Sequence, residues 1–385
     1  MIEIISNPIA SSQNRNLFGA AFPISEVFVI VHSEIEAVVA ELSGFATGAG
    51  GPIPDRIVEI SFLSNPARVQ QLRGAMPRSK QEVFAKHDFS FWLWNTPEGK
   101  VYLSHRGFSD SEPFAILQTD VTRFTVIASS GHTDAIRAPL RVVREVALRA
   151  AEDSGACLFH SACVVTGQRG WLICGKSGAG KTTMVNAILR NSSRRYLSND
   201  KTLIRTSLQT VDAIDWPVAA RLGFETLRAA GLESRVAEQR PTRVDQASYR
   251  QKASDEHCAA RVWGSRDKIE LTPREYAALI SCGLARRASI VGLIRVHLTL
   301  DARPTTLTPL TANDKLGALE EGWFAHDDPD FGTDWLSLRR VPRRRVEDFR
   351  EAFMALHGFQ VTCSVDQLDA CMVLLLNKME GPLTD

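Results

Sequence analysis

Residues 157–200 read CLFHSACVVTGQRGWLICGKSGAGKTTMVNAILRNSSRRYLSND. Two apolar runs, LFHSACVV and GWLIC, are joined by the turn TGQRG, and the second run feeds a glycine-rich loop. The loop continues into KTTMVNAIL, which reads as a helix start. Strand, loop and helix in that order are the context that a G-x-x-x-x-G-K-[ST] pattern requires. Gly175, Lys176, Ser177, Gly178, Ala179, Gly180, Lys181 and Thr182 match that pattern, and Thr183 follows it.

Each residue type in the pattern has a physical task. Glycines permit backbone angles that aim successive N–H groups inward at phosphate oxygens. The following helix adds its positive N-terminal end. Lys181 reaches the β- and γ-phosphates as a point charge, and the Thr182 hydroxyl can ligate Mg²⁺. Residues Gly175 to Thr183 are therefore the expected nucleotide-binding stretch.

A metal-bound triphosphate also needs an acidic residue. Asp200 follows Lys181 by 19 residues, room for one helix, one turn and one strand. The strand RYLS is expected to lie beside the loop strand and to deliver Asp200 to the metal, making Thr182 and Asp200 the expected Mg²⁺ ligands. The plain alternative is that Asp200 starts a turn. His160, one strand away, can contact the γ-phosphate or the acceptor oxygen, or it is a hydrogen-bonded histidine buried in a strand.

Arg221 in WPVAARLG and Lys268 in RDKIELTP are the candidate extra cations on the transferring group, against a background of exposed basic residues that are usually inert. The expected catalytic set is thus Asp200, His160, Lys181, Arg221 and Lys268. Asp212, Asp215 and Glu225 are equal candidates for a second carboxylate. His326, Asp327, Asp328 and Asp330 form an acidic cluster that either binds a metal or forms a solvated loop, the preferred reading since the spacing matches no calcium loop. Arg339, Arg340, Arg343, Arg344 and Arg345 form a basic run that either holds an anionic substrate or peptide or opens a solvated helix. The GTPase signal N-K-x-D is absent, since ANDK at 312–315 has its order wrong.

The run from Leu158 to Asp200 resembles the catalytic domain of HPr kinase/phosphorylase-like proteins, which have the phosphoenolpyruvate carboxykinase-type P-loop fold rather than the usual parallel α/β one. The family pattern is a histidine in a strand, a tight turn, a second strand, the loop, a helix and an Asp-Asp strand end. His160 matches the histidine, Gly175 to Thr182 match the loop, and Asn199-Asp200 stands at the Asp-Asp position. DWPVAARLGFETL and KIELTP also look like this broader group, so the resemblance covers roughly residues 155–310. It implies Mg²⁺-dependent phosphoryl transfer from ATP to a hydroxyl, usually serine-like. One position departs from the pattern: the first aspartate is Asn199. An amide can donate to phosphate or ligate a metal through its carbonyl, but it cannot accept a proton at neutral pH. Acceptor activation then falls to Asp200 or to another residue.

The fold class expected is α/β (α+β): an N-terminal α+β domain over residues 1–135, then an HPr kinase/PEP carboxykinase-type P-loop domain over 136–385 with a helical closing segment. The first part carries β-branched or aromatic runs bounded by turn residues: SEVFVIVHS, RIVEISFLS, FSFWLWN, KVYLSHRG and RFTVIASSG. EIEAVVAELSG has helical spacing and a glycine stop. Trp92 and Trp94 share one strand face and read as core more readily than as a stacking surface. AIRAPLRVVREVALRAAED (135–153) is the clearest helix, with Leu140, Val143, Val146 and Leu148 as its apolar stripe and Gly155 placed to end it. Residues 235–258 are polar without apolar periodicity and read as a mobile surface segment. ASIVGLIRVHLTL is a buried strand, and RVEDFREAFMALHG an amphipathic helix that Gly358 would cap.

The totals bound the partners. Among 385 residues, Lys+Arg 45 against Asp+Glu 44 gives a net charge of +1, which argues against a general electrostatic nucleic-acid binder. The 7 cysteines form no C-x-x-C pair and read as reduced thiols. The first residues lack the basic-then-apolar pattern of a secretory leader, and no apolar run reaches the ~18 residues of a membrane span. The expectation is a cytoplasmic kinase using ATP and Mg²⁺ on a hydroxyl of a small-molecule or peptide acceptor, as in specialised-metabolite tailoring or self-modification. Neither membrane nor nucleic acid is an expected partner, and self-association into a homo-oligomer is left open. The alternative is a nucleotide-binding regulatory or assembly protein of the same fold that transfers nothing.

Overall fold

The structure is a computed structural model that describes residues 17–47, 53–86, 88–129, 131–190, 193–207, 210–254, 268–324 and 333–381. Backbone contacts divide the chain into two compact units. One comprises Met1–Ser154 and Phe324–Arg343, the other Gly155–Trp323 and Arg344–Asp385. The division therefore falls after the long helix rather than at 135, and a later segment returns to the first unit.

The first unit runs β1 (Phe18–Ile24), β2 (Val27–Ser33), α1 (Glu36–Ser43), β3 (Arg56–Ser64), α2 (Pro66–Gly74), β4 (Gln81–Lys86), β5 (Phe89–Thr96), β6 (Gly99–Ser104), β7 (Phe114–Gln118), β8 (Arg123–Ala128) and α3 (Thr133–Asp153). Among the described residues its strands form one mixed sheet in the order β1-β2-β3-β8-β7-β6-β5-β4, parallel only at β2–β3 and β3–β8. Trp94 is buried and Trp92 packs partly exposed against the same core cluster. Leu140, Val143, Val146 and Leu148 of α3 are all buried. So are Glu145, Arg149 and Glu152 of that helix, which meet charged partners instead of water. The Arg149 guanidinium donates to Glu145 (2.8 Å), Glu152 (2.6 Å) and the Thr333 carbonyl (2.9 Å). Arg339 and Arg343 of the basic run also donate to Glu152. These two arginines are thus occupied in holding the 333–343 segment on α3, which corrects their reading as a substrate cradle or solvated helix start.

The second unit begins β9 (Ala156–Phe159), β10 (Ala162–Thr166), β11 (Arg169–Cys174), α4 (Lys181–Leu189), β12 (Arg194–Ser198), β13 (Thr202–Ser207), β14 (Thr210–Ile214), β15 (Ala220–Gly223), α5 (Phe224–Ala229), α6 (Glu233–Gln239) and α7 (Gln246–Ser254). After β16 (Lys268–Leu271) come a helix Pro273–Ile280, β17 (Gly283–Leu284), β18 (Arg287–Thr299), β19 (Thr306–Pro309), helices Ala312–Gly322 and Glu347–Met354, β20 (His357–Ser364) and a closing helix Leu368–Glu380. The polar stretch after 235 carries two helices among its described residues, α6 and α7, whose Val236 and Tyr249 bury against the core. Gly358 lies inside β20 rather than at a helix end.

The loop strand β11 sits in the interior of the main sheet, whose order is β17-β12-β10-β11-β18-β14-β13-β9. Alternation sends its residues to opposite faces. Trp171 and Ile173 join a cluster with Met184, Val185 and Ile188 of α4, while Leu172 and Cys174 join one with Leu319, Phe349 and Phe353. A strand buried on both faces explains the unbroken apolar run WLIC.

One expectation is corrected here. β12, which carries RYLS, does not pair with the loop strand; β10 lies between them, antiparallel to both. The hairpin partner β10 takes one edge of β11, and parallel β18 takes the other.

The run LFHSACVV is also two strands, not one. β9 pairs with β13 and β10 pairs with β12, so two antiparallel segments are broken at the same level, at His160–Ser161 and at Asn199–Lys201. His160 accordingly lies outside a strand, at this break. Ser161 and Thr202 hold the corner: their hydroxyls are 3.0 Å apart, and Thr202 also donates to the Ser161 carbonyl at 3.1 Å.

Candidate functional site

The glycine loop leaves β11 in a backbone that most residues cannot follow. Gly175 has φ +143° and Gly180 has φ +94°. A Cβ at Gly180 would come within 2.5 Å of the Leu298 side chain. The loop is also tied to the end of β18, where the Leu298 N–H donates to the Ala179 carbonyl at 3.0 Å. The loop then turns directly into α4, which begins at Lys181.

A cavity of about 340 Å³ opens over this loop. Ser177, Gly178, Gly180, Lys181, Thr182 and Thr183 form one wall, and His160, Asn199 and Asp200 come from the break in the sheet. Arg221 and Lys268 reach it from the two-stranded sheet β15–β16, in which Gly223 faces Lys268 across the ladder. Gly175, Lys176 and Ala179 belong to the loop but do not line the cavity. Thr183 directs its hydroxyl to Thr226, 3.2 Å away.

Lys181 is buried, and its ammonium donates to the carbonyls of Gly175 (2.7 Å) and Lys176 (3.2 Å). Burial lowers its pKa, while the nearby Asp200 carboxylate acts the other way. Asp200 sits between two donors: His160 Nε2 lies 3.3 Å from Oδ1, and Lys201 Nζ donates to Oδ2 at 3.1 Å. Burial alone would raise the pKa of this carboxyl. The His160 hydrogen bond and the Lys201 charge outweigh it and hold the group well below the usual carboxylate range. Asp200 is therefore ionised at neutral pH, a state suited to a metal or a cation and poorly suited to carrying a proton. Arg221, whose side chain is exposed, pairs with Glu270 at 3.6 Å.

Asn199 is 2% exposed, and its Oδ1 meets no hydrogen-bond donor among the described residues. Glu225, in the first turn of α5, also lines the cavity and has a buried Oε1 without a donor among the described residues. The three candidates for a second carboxylate are thereby separated. Asp212 pairs with Arg205 across β13–β14, and Asp215 is 1% exposed; neither lines the cavity.

Leu298, Thr299 and Leu300 at the end of β18, with Val365, complete the rim. Nothing in their local sequence marks them, because they arrive through the parallel pairing of β18 with β11 and β20. The acidic stretch His326, Asp327, Asp328 and Asp330 lies outside the described residues. Among the described residues, no helix is long and apolar enough to cross a membrane.

No protein-family model and no curated protein matches the chain. Solved structures that are similar include the Hpr(Ser) kinase/phosphatase from Coxiella burnetii, at 11% identity and a TM-score of 0.25, covering 58% of this chain and 99% of that one.

Proposed function

We propose that the protein is an ATP- and Mg²⁺-dependent kinase that transfers the γ-phosphate to a hydroxyl of a small molecule or peptide. The observation that carries this reading is the gathering of Lys181, Thr182, Asp200, His160, Arg221 and Lys268 around one cavity, from five separate stretches of chain. A loose phosphoryl-transfer transition state needs positioning and charge neutralisation above all. Lys181 and the loop N–H groups serve the β- and γ-phosphates. Arg221 and Lys268 neutralise the transferring group from the β15–β16 ladder, and His160 orients Asp200.

The donor set fits a magnesium–nucleotide. Thr182 and Asp200 supply hard oxygen ligands, and the orphaned Oδ1 of Asn199, next to Asp200 in sequence, adds a carbonyl oxygen. A Cβ at Gly178, with φ +82°, would meet open space, so the loop leaves room for phosphate at that point. Mg²⁺ held there supplies charge neutralisation on the phosphates.

Incubation of the chain with ATP, Mg²⁺ and candidate hydroxyl acceptors, read by mass spectrometry as a phosphate adduct, tests the proposal. Nucleotide binding without any transfer overturns it.

Asn199 favours a second reading, a nucleotide-binding regulatory or assembly protein, because an amide at that position takes no proton. Asp200→Ala separates the two. A kinase loses turnover, whereas a binder loses only metal-assisted affinity.

A further inference from the structure

The kinase reading leaves one task without a residue, the removal of the acceptor proton. Asp200 is engaged by His160 and Lys201 and is held ionised by them. Asn199 cannot take a proton. Among the described residues that line the cavity, the other carboxylate is Glu225.

Its placement is specific. Glu225 directly follows the β15–α5 junction, so the same short stretch carries Arg221, Gly223 and Glu225 to the cavity lining. One carboxylate oxygen, Oε2, lies over Gly223, where a Cβ would come within 3.0 Å of it. A side chain at 223 would push that carboxylate away. The other oxygen, Oε1, is buried and meets no donor among the described residues. A buried carboxylate oxygen without a donor carries a desolvation cost that a hydrogen bond from a bound hydroxyl relieves.

Resting on the kinase reading above, we infer that Glu225 is the general base, accepting the acceptor's proton in place of the carboxylate that Asn199 lacks. In this step the acceptor O–H bond breaks and its proton passes to Glu225. The acceptor oxygen forms a bond to the γ-phosphorus as the bond from that phosphorus to the β–γ bridging oxygen breaks. ADP leaves with that electron pair, and Glu225 returns its proton to water.

Glu225→Gln keeps shape and removes basicity, and Glu225→Asp keeps basicity at shorter reach. The full chain is assayed with ATP, Mg²⁺ and a degenerate serine-centred peptide library, reading ADP release and phosphopeptide, while ADP·Mg²⁺ affinity is measured by calorimetry. The expected result is a loss of transfer of about 10²-fold or more in Glu225→Gln, smaller in Glu225→Asp, with ADP·Mg²⁺ affinity within about threefold of native in both. Native-like transfer by Glu225→Gln overturns the assignment. So does a parallel loss of ADP·Mg²⁺ affinity, which places Glu225 on the metal or nucleotide. Failure of the native chain to release ADP or label peptide, with ADP·Mg²⁺ bound, overturns the kinase reading itself and this assignment with it.

Discussion

His160 Nε2 stands 3.3 Å from Asp200 Oδ1, although the two residues are 40 positions apart in the chain and neither belongs to a strand. The contact exists because two antiparallel segments, 156–166 and 194–207, are interrupted at the same level, which turns both residues out of the ladder. The break places a cation-capable ring against the carboxylate that shares the cavity with the glycine loop.

Removing that ring tests its role. His160→Ala is expected to lower phosphoryl transfer by about 10- to 100-fold, within the range of positioned acid–base groups. Its side chain is partly exposed, so thermal unfolding should move little. A drop in melting temperature comparable to that of a core truncation would make His160 a structural residue instead.

Gly180→Ala is expected to destabilise the chain by about 1–3 kcal/mol. The substitution forces a side chain into φ +94° and drives its Cβ to within 2.5 Å of Leu298. The melting temperature by differential scanning fluorimetry should fall and nucleotide binding should weaken with it. An unchanged melting temperature would show that the loop has another low-energy path.

Arg149→Met is expected to cost about 3–5 kcal/mol, because Glu145 and Glu152 are then buried without their shared cation. Arg149 is fully buried and donates to both. The check is urea unfolding followed by tryptophan fluorescence. A loss below about 1 kcal/mol, the level of a surface ion pair, would mean that Arg339 and Arg343 compensate.

Glu145 gives a pH signature. Burial, reinforced by Asp334 and only partly offset by Arg149, pushes its carboxyl up from the usual 4.5 to about 7. The folded state therefore binds this proton more tightly than the unfolded state. The stability contributed is full below about pH 4.5 and is lost as pH rises through about 7. Glu145→Gln removes this dependence, so the variant should gain on the native chain as pH rises between those values. Parallel stability curves from urea titrations across that range would refute the assignment.

Local signals carried much of the architecture. The loop and its flanking β11 and α4 were legible because glycine positions, an apolar run and a lysine-led helix start are properties of adjacent residues. The same holds for α3, whose stripe Leu140, Val143, Val146 and Leu148 is buried, and for β2, β3, β5, β6 and β8. β7, FAILQ, declares itself only in the sheet, where it pairs with β6 and β8.

What depends on partners far along the chain was settled only in three dimensions. Which strand sits beside β11 is decided by the β10–β11 hairpin and by β18, more than a hundred residues later, so RYLS could not be placed from its own composition. Asp212, Asp215 and Glu225 are alike as isolated carboxylates; only strand registry puts the first against Arg205, buries the second and leaves the third at the cavity. The arginines at 339 and 343 look solvated until Glu152 is brought to them. Backbone propensity and side-chain period act over a few residues. The pairing of charges and the meeting of His160 with Asp200 are set by tertiary contacts, which a linear reading does not contain.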